Sequence, residues 1–285
     1  MTRYFLLFFL LTFLLLNGSF RARAQSISTN NTLTYLRVVY RLDYRLDSAV
    51  TSPKRVLMIL RINNGFSCFE SKVKQVFDSV YVNLSAISEQ QGLQKAADAS
   101  RKPGKSEFHY SIFKEPAQNL VFYHDIIGTK DYQYQEKAPL FNWKIAPTRR
   151  AVAGYDCQQS FTAFEGRMFE VWFTRDVPVS EGPYKFYGLP GLIVKVRDTH
   201  DNYVFELFSI ESDTKPFDIS ADSGAPLSAS PLAPLIKKAK FNQAKHNDDL
   251  TLLDQLAGAG NHIPESLRAS HIARLKRQNN PLELK

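Results

Sequence analysis

The alternation of apolar and charged residues near the start of the chain is the feature that most constrains its fold. Every second residue from Leu36 to Leu46 is leucine, valine or tyrosine, and most residues between them are arginine or aspartate. Side chains of a β-strand point to opposite faces in turn, so this pattern predicts a strand with one buried face and one wet face.

Similar short segments, separated by turn residues, recur along most of the chain. Reversals are predicted at Asn63-Asn64-Gly65 and at Glu165-Gly166-Arg167, where glycine permits a tight turn. The segments with strand character are 56–62, 66–69, 108–113, 120–127, 139–145, 155–164, 168–175, 192–197 and 203–210. About ten strands joined in this way predict a mainly β fold, with a curled antiparallel sheet that is half-barrel or sandwich-like.

The remaining parts of the chain are less regular. Residues 71–106 predict a surface segment outside the sheet with some helix. Residues 131–137 are read only as a polar segment. Apolar residues at helical spacing in 232–239, 250–256 and 263–275 predict two or three helices. We therefore expect a β-rich domain at 25–212, a Ser-, Ala- and Pro-rich linker at 213–230 and a helical tail at 231–285.

The N-terminus has the order of a secretory signal peptide. Arg3 precedes an apolar run from Tyr4 to Leu16, and Ala22-Arg23-Ala24 supplies a small-residue ending. The run is shorter than the roughly 20 residues of a spanning helix, which disfavours the rival reading of an uncleaved anchor. Cleavage is expected after Ala24, and the mature chain is expected in the periplasm or outside the cell.

The positive charge is concentrated in the tail. The formal net charge is +8, but residues 25–230 carry 24 basic and 23 acidic side chains, whereas residues 231–285 carry 9 and 5. A nucleic-acid partner would require a basic stripe with interleaved aromatic residues, which the body lacks. The basic tail leaves open an association with a membrane surface.

Motifs for chemistry are scarce. None of the histidines has metal-site spacing, and neither a Gly-x-Ser-x-Gly elbow nor a phosphate or dinucleotide loop occurs, so no metal and no cofactor is expected. Catalytic residues remain unassigned, because pairs of carboxylates would be visible only in space. Cys68 and Cys157 leave two alternatives open, a disulfide in an oxidising compartment or two buried thiols.

Residues 182–196 form the strongest local signal. Gly182-Pro183 predicts one break, and Gly188 precedes Leu189-Pro190-Gly191-Leu192, which predicts a type II turn. Between the breaks lies an aromatic rim, which consists of Tyr184, Lys185, Phe186 and Tyr187. The rim is interpreted either as a binding edge or as a structural corner whose rings cover the end of the sheet.

Residues 188–193 read GLPGLI, and with neighbouring motifs they resemble the GLPGLI family of exported bacterial proteins, also named Porph_ging and found mostly in Bacteroidota. The supporting motifs are Trp143-Lys144-Ile145, Gly154-Tyr155-Asp156-Cys157, Trp172-Phe173-Thr174, Val177-Pro178-Val179, Gly182-Pro183-Tyr184-Lys185-Phe186 and the ending Asn279-Asn280-Pro281-Leu282-Glu283. The resemblance implies a signal peptide, a periplasmic or outer-membrane-associated location and a β-rich fold. It implies no established activity.

Taken together, these features favour a non-catalytic binding or accessory module that uses the concave side of the sheet and the aromatic rim. The expected partner is an outer-membrane receptor or another envelope protein. The alternatives are a periplasmic hydrolase acting on peptide or glycan substrates, and a structural protein whose tail docks on a membrane or receptor.

Overall fold

A single antiparallel sheet of eleven strands dominates the computed structural model, which describes residues 35–63, 65–85, 88–128, 130–213, 233–258, 260 and 262–284. The predicted signal peptide and the predicted linker from residue 214 onward lie outside these ranges. The strands are β1 (Tyr35–Tyr44), β2 (Lys54–Asn63), β3 (Phe66–Ser71), β4 (Ser111–Glu115), β5 (Leu120–Ile127), β6 (Lys130–Lys137), β7 (Lys144–Val152), β8 (Tyr155–Phe164), β9 (Arg167–Thr174), β10 (Leu192–Asp198) and β11 (Tyr203–Asp213).

The spatial order of the strands is β6-β5-β4-β3-β2-β1-β11-β10-β9-β8-β7. Each neighbouring pair is antiparallel, so the chain makes two meanders that are joined where β1 pairs with β11. The sheet is not closed, because β6 and β7 end it on opposite sides. The predicted fold class, a mainly β fold with a curled antiparallel sheet and a helical tail, is confirmed.

The sheet curls towards its apolar face. The alternation predicted in β1 is confirmed, since Leu36, Val38, Tyr40, Leu42 and Tyr44 are all buried. Phe69 on β3 and Phe205 on β11 are three strand spacings apart, which is about 14 Å along a flat sheet. Their ring centroids are nevertheless only 6.1 Å apart. The apolar face is therefore concave and holds the core.

The tight reversals are set by backbone geometry. Glu165 and Gly166 have φ values of 46° and 83° between the paired residues Phe164 and Arg167. Positive φ at both central positions defines a type I′ turn, whose twist matches the flanking strands. The predicted hairpin between β8 and β9 is confirmed.

Four helices are described outside the sheet: α1 (Lys72–Ser85), α2 (Glu89–Ser100), α3 (Lys238–Gly258) and α4 (Glu265–Arg277). Helix α1 packs on the convex face over β2 and β3. Of the two or three helices predicted in the tail, two are described. Leu235 instead forms a parallel bridge with Gln133 of β6, and helix α3 begins only at Lys238. No described helix is long and apolar enough to span a membrane.

The two edges of the sheet differ. Residues 131–137, read from the sequence only as a polar segment, belong to edge strand β6, whose backbone is partly covered by the tail. The Ile236 amide donates to the Gln133 carbonyl at 2.9 Å. In the described part of the chain, β7 hydrogen-bonds to β8 alone.

Candidate functional site

Residues 177–191, which form most of the connection between β9 and β10, lie inside the concave face and are called the plug segment here. Its apolar side chains Val177, Tyr184, Phe186 and Leu189 are buried. The ring of Phe186 lies 4.9 Å from that of Phe169 on β9. Burial of these rings stabilises the fold through the hydrophobic effect. The plug segment therefore fills the concave side that the sequence suggested as a binding surface.

The residues of the aromatic rim do not form an exposed edge, which favours the structural-corner interpretation. Tyr184 is 5% exposed, Lys185 and Phe186 are fully buried, and Tyr187 is half-buried. The rings cover one another and the end of the sheet, as the structural-corner interpretation required. Large aromatic side chains gain most from being removed from water, which explains why they face inward.

Two glycines of the plug segment are required by close backbone approach. A Cβ atom on Gly191, whose φ is 144°, would lie 2.0 Å from the carbonyl oxygen of Thr174. A Cβ atom on Gly182 would lie 2.7 Å from the Cβ of Ile193. No other residue type fits either position without displacing the neighbouring strand.

The predicted turn at Leu189-Pro190-Gly191-Leu192 lacks a hydrogen bond between its first and last residues. The Gly191 amide donates to the Leu189 carbonyl at 2.8 Å, and the Leu192 amide donates instead to the Val177 carbonyl at 3.0 Å. Leu192 thus pairs with the start of the plug segment rather than with Leu189. The predicted positive φ of Gly191 is confirmed.

Five charged side chains join the plug segment to β6, to the β8–β9 turn and to the tail, and they are called the clasp here. The members are Glu136 on β6, Glu165 in the β8–β9 turn, Lys185 in the plug segment, Lys238 at the start of α3 and Glu283 near the C-terminus. Each lysine contacts more than one carboxylate. The Nζ of Lys185 lies 2.5 Å from Glu136 and 2.6 Å from Glu283, and the Nζ of Lys238 lies 3.1, 2.8 and 2.8 Å from Glu136, Glu165 and Glu283. The clasp connects five separate parts of the chain.

The protonation states of the clasp follow from these contacts. Burial opposes ionisation of Glu283, but the neighbouring ammonium groups of Lys185 and Lys238 outweigh it and lower the pKa of this carboxyl. Burial likewise opposes the charge of Lys238, whereas its three carboxylate partners raise its pKa well above the ordinary value. Both groups are therefore ionised near neutral pH, as a paired buried charge requires.

The Lys185 ammonium is also enclosed by aromatic rings. Its Nζ lies 5.1 Å from the centroid of Tyr134 and 5.5 Å from that of Tyr123, with Phe164 and Tyr184 at similar distances. Ring faces attract a cation, and the attraction is stronger where water is excluded. Lys185 also donates to the Tyr134 hydroxyl at 3.0 Å. These contacts account for a fully buried lysine.

A second buried ion pair fixes the other side of the plug segment. The Nζ of Lys114 on β4 lies 2.6 Å from Glu181 and donates to the Gly182 carbonyl at 2.8 Å. Burial lowers the pKa of Lys114, although Glu181 partly offsets the effect. The plug segment is thus held by ion pairs at two of its residues, Glu181 and Lys185.

The C-terminal residues 279–284 bind to the opening of the concave face. Arg167 pairs with Asp198 at 2.8 Å and donates to the Asn280 side chain and the Pro281 carbonyl. The Tyr203 hydroxyl donates to the Asn280 carbonyl at 2.7 Å. The sequence marked this ending only by family resemblance, whereas the structure shows that it seals the core beside the plug segment.

The two cysteines do not form a bridge. Both are free and buried, Cys157 in the main core and Cys68 in a small cluster with Phe113 and Phe122. Burial raises the pKa of each thiol to about 12. The alternative of two buried thiols therefore describes the structure, and neither thiol is set up as a nucleophile.

An open groove of about 720 Å³ crosses the convex face, and it is called the convex groove here. It runs over six adjacent strands from β1 to β7. The lining is mainly charged and comprises Asp43, Arg45, Pro53, Thr148, Arg150, Gln159, Glu170, Trp172, Lys195, Arg197, Asp201, Val204 and Glu206. None of these residues was identified as a candidate from the sequence.

Opposite charges alternate across the strands of the convex groove. Lys195 lies opposite Glu206, which in turn lies opposite Arg41, with contacts of 2.6 and 3.5 Å. In the next row Arg197 pairs with Glu170 and Asp201, each at 3.1 Å. Cross-strand pairs of opposite charge are weakly stabilising and help to fix strand register. They also present a fixed pattern of charge to anything that binds there.

Trp172 lies at the floor of the convex groove. Its indole N–H donates to Glu170 at 2.6 Å, and the guanidinium of Arg150 lies 4.1 Å above the ring centroid. Burial alone would raise the pKa of Glu170, but hydrogen bonds from Trp172 and Arg197 lower it. Glu170 is therefore a fixed anion, and Trp172, which is 2% exposed, offers no open ring face.

The fold and these sites define a class of protein: a mainly β module whose open sheet encloses a segment of its own chain and presents a charged groove on the outside. Residues 147–195 match the family described as "Protein of unknown function (Porph_ging)". The match supports the predicted family assignment and runs from β7 into β10, including the plug segment and Trp172.

Solved structures with a similar fold include two of a protein called PNGF-II, in C2 and P21 space groups. Each gives a TM-score of 0.53 at 12% identity and covers 76% of this chain. The chain spans about a third of the length of PNGF-II, at 33% and 34% in the two structures. This likeness shows a shared β-rich fold alone. No curated protein matches the chain by sequence.

Proposed function

We propose that the protein is an exported, envelope-associated accessory module that binds a partner polypeptide on the convex groove and catalyses no reaction itself. The observation that carries this proposal is the groove, an open surface across six strands with a fixed pattern of paired charges. Because the plug segment occupies the concave side, we place the binding surface on the convex face instead. Export is supported by the signal-peptide pattern before Gln25.

The dimensions of the convex groove suit an extended chain. Six strands at a spacing of about 4.8 Å span about 24 Å. An extended polypeptide advances about 3.3 Å per residue, so roughly seven residues would cross the groove. A small cofactor would instead require an enclosed and largely apolar pocket.

The charges of the convex groove favour a polypeptide over a glycan. Four basic and four acidic side chains line it, and opposite charges form ion pairs across neighbouring strands, such as Lys195 with Glu206 and Arg197 with Glu170. A chain carrying charged side chains can complement such a pattern. A sugar would gain most from an open aromatic face, but Arg150 covers Trp172, the only aromatic side chain among the described residues of the lining.

The hydrolase alternative is less well supported by the same residues. A general acid must carry a proton near working pH, whereas Glu170 is held as an anion by Trp172 and Arg197. A thiol nucleophile must ionise, whereas the pKa of Cys157 is raised to about 12. Binding without chemistry is the function that this geometry supports best.

The proposal is tested by charge reversal in the convex groove. Lys195→Glu would oppose Glu206 and disrupt one row, while a partly exposed pair of this kind contributes at most about 1 kcal/mol to stability. We expect recovery of specific polypeptides from the native envelope to fall with Lys195→Glu and to persist with Lys240→Glu, an exposed control on α3. Equal recovery by all three proteins, at equal melting temperatures, would contradict the proposal.

A further inference from the structure

Strand β7 is an open edge of the sheet. It is the last strand in the spatial order, and in the described part of the chain it pairs only with β8. Eight of its nine residues are exposed or half-exposed. The opposite edge differs, because residues of the tail cover part of β6 through Gln133. An uncovered edge exposes backbone N–H and C=O groups that can pair with another strand.

The side chains of β7 select which strand could pair with it. The sequence KIAPTRRAV carries Lys144, Arg149 and Arg150 and no acidic residue. Two copies of β7 placed side by side would bring like charges together, which disfavours pairing of the chain with itself. An acidic strand would instead gain favourable cross-strand contacts.

The backbone limits where pairing can occur. The register of β7 against β8 is irregular between Ile145 and Arg149, and Pro147 in that stretch has no N–H to donate. The regular part, Arg149–Val152, is therefore the piece of the edge able to form a continuous ladder. Arg150 belongs both to this piece and to the lining of the convex groove.

We propose that the outer edge of β7 receives an extended acidic segment of the partner as a twelfth strand. This inference rests on the proposed function, because Thr148 and Arg150 place the edge and the convex groove on one continuous surface. Backbone hydrogen bonds would supply affinity, and the arginines would supply the preference for acidic residues.

The experiment uses a fluorescent ten-residue peptide in which glutamate alternates with valine or threonine, and measures its binding to the mature protein by anisotropy. Two further peptides are N-methylated at every second residue, one at the odd-numbered and one at the even-numbered backbone amides. Only one of these two sets of amides can face β7 and donate to it. We therefore expect one N-methylated peptide to bind at least tenfold more weakly and the other to bind like the parent. Equal binding of both N-methylated peptides and the parent would overturn strand addition.

Protein variants separate the edge from the groove. Lys144→Glu combined with Arg149→Glu changes β7 without changing the groove lining, and we expect it to weaken binding of the parent peptide at least tenfold. The matched control, Lys237→Glu with Lys240→Glu, should leave binding unchanged. Loss with the control pair but not with the edge pair would overturn the assignment to β7. Failure of the groove proposal would be seen separately, in envelope recovery by Lys195→Glu. A dimer of the unmodified protein that the edge pair dissociates would assign the edge to a second copy and overturn the acidic occupant.

Discussion

Replacing Lys185 by methionine should lower the free energy of unfolding by about 3–5 kcal/mol. The side chain is fully buried and contacts two carboxylates, Glu136 at 2.5 Å and Glu283 at 2.6 Å. Methionine removes the ammonium while keeping similar volume, so it leaves these two carboxylates with Lys238 as their remaining cation. The cost is therefore the penalty of a buried and incompletely paired charge rather than that of a cavity.

The assay is urea unfolding of the mature protein, which is monitored by tryptophan fluorescence. The melting temperature is a second measure of stability. For a domain of this size, 1 kcal/mol shifts the melting temperature by about 2–4 °C, so a lowering of roughly 10 °C is expected. The matched control is Lys54→Met, since the Lys54–Glu107 pair has the same chemistry at 2.6 Å but is largely exposed. Exposed pairs contribute at most about 1 kcal/mol.

The opposite result would be that Lys185→Met lowers the free energy of unfolding no more than Lys54→Met does. In that event the clasp would not hold the plug segment in place, and the burial of Lys185 would need another cause. An unchanged dependence of stability on urea concentration would show that the comparison concerns the same folded and unfolded states.

Further predictions concern the clasp, the glycines and the cysteines. The pKa of Glu283 is lower in the folded chain than its ordinary value of 4.5, so its stabilising contribution is present above that pH and is lost as the pH falls through the folded value; Glu283→Gln should flatten the acid limb of the stability–pH curve, and an unchanged limb would contradict the assignment. Gly191→Ala should cost about 3 kcal/mol or more, because its Cβ meets backbone at 2.0 Å, whereas Gly258→Ala, which meets nothing within 4 Å, should be nearly neutral in thermal unfolding. Cys68 and Cys157 should resist a thiol reagent in the native protein and should both react after unfolding without a reductant; one or no reactive thiol would indicate a bridge.

The sequence predicted the parts of the fold that local pattern determines. The alternation at Leu36–Leu46 identified β1, and the predicted strand at 120–127 coincides with β5. The Glu165-Gly166 reversal followed from the conformational freedom of glycine. These features depend on neighbouring residues, which are visible along the chain.

The features that the sequence missed depend on distant partners. Lys185 is buried because Glu136, 49 residues earlier, and Glu283 near the C-terminus surround it. A Tyr-Lys-Phe-Tyr run is equally compatible with a solvent-exposed binding edge. The choice between a binding edge and a structural corner therefore depended on knowing the fold. The convex groove is likewise created by register, since Trp172, Lys195 and Glu206 meet only across paired strands.

The path and contacts of the tail could likewise be determined only from the fold. Leu235 has the spacing of a helical residue but forms a bridge at the edge of β6. Lys238 and Glu283 belong to the clasp, so a truncation after Ser230 would remove part of the core closure along with the basic helices. A membrane role of the tail is therefore better examined by changing exposed charges of α4, such as Arg277, than by deletion.

The most direct test of the account is site-specific photo-cross-linking in the native envelope, with the probe placed at Gln159, Tyr187 or Gln94. Gln159 lines the convex groove, Tyr187 marks the plug segment, and Gln94 is an exposed control on α2. We expect a discrete polypeptide adduct from Gln159 and none from Tyr187 or Gln94. An adduct from Tyr187 without one from Gln159 would instead place the binding surface at the GLPGLI side, and the convex groove would not be the binding site.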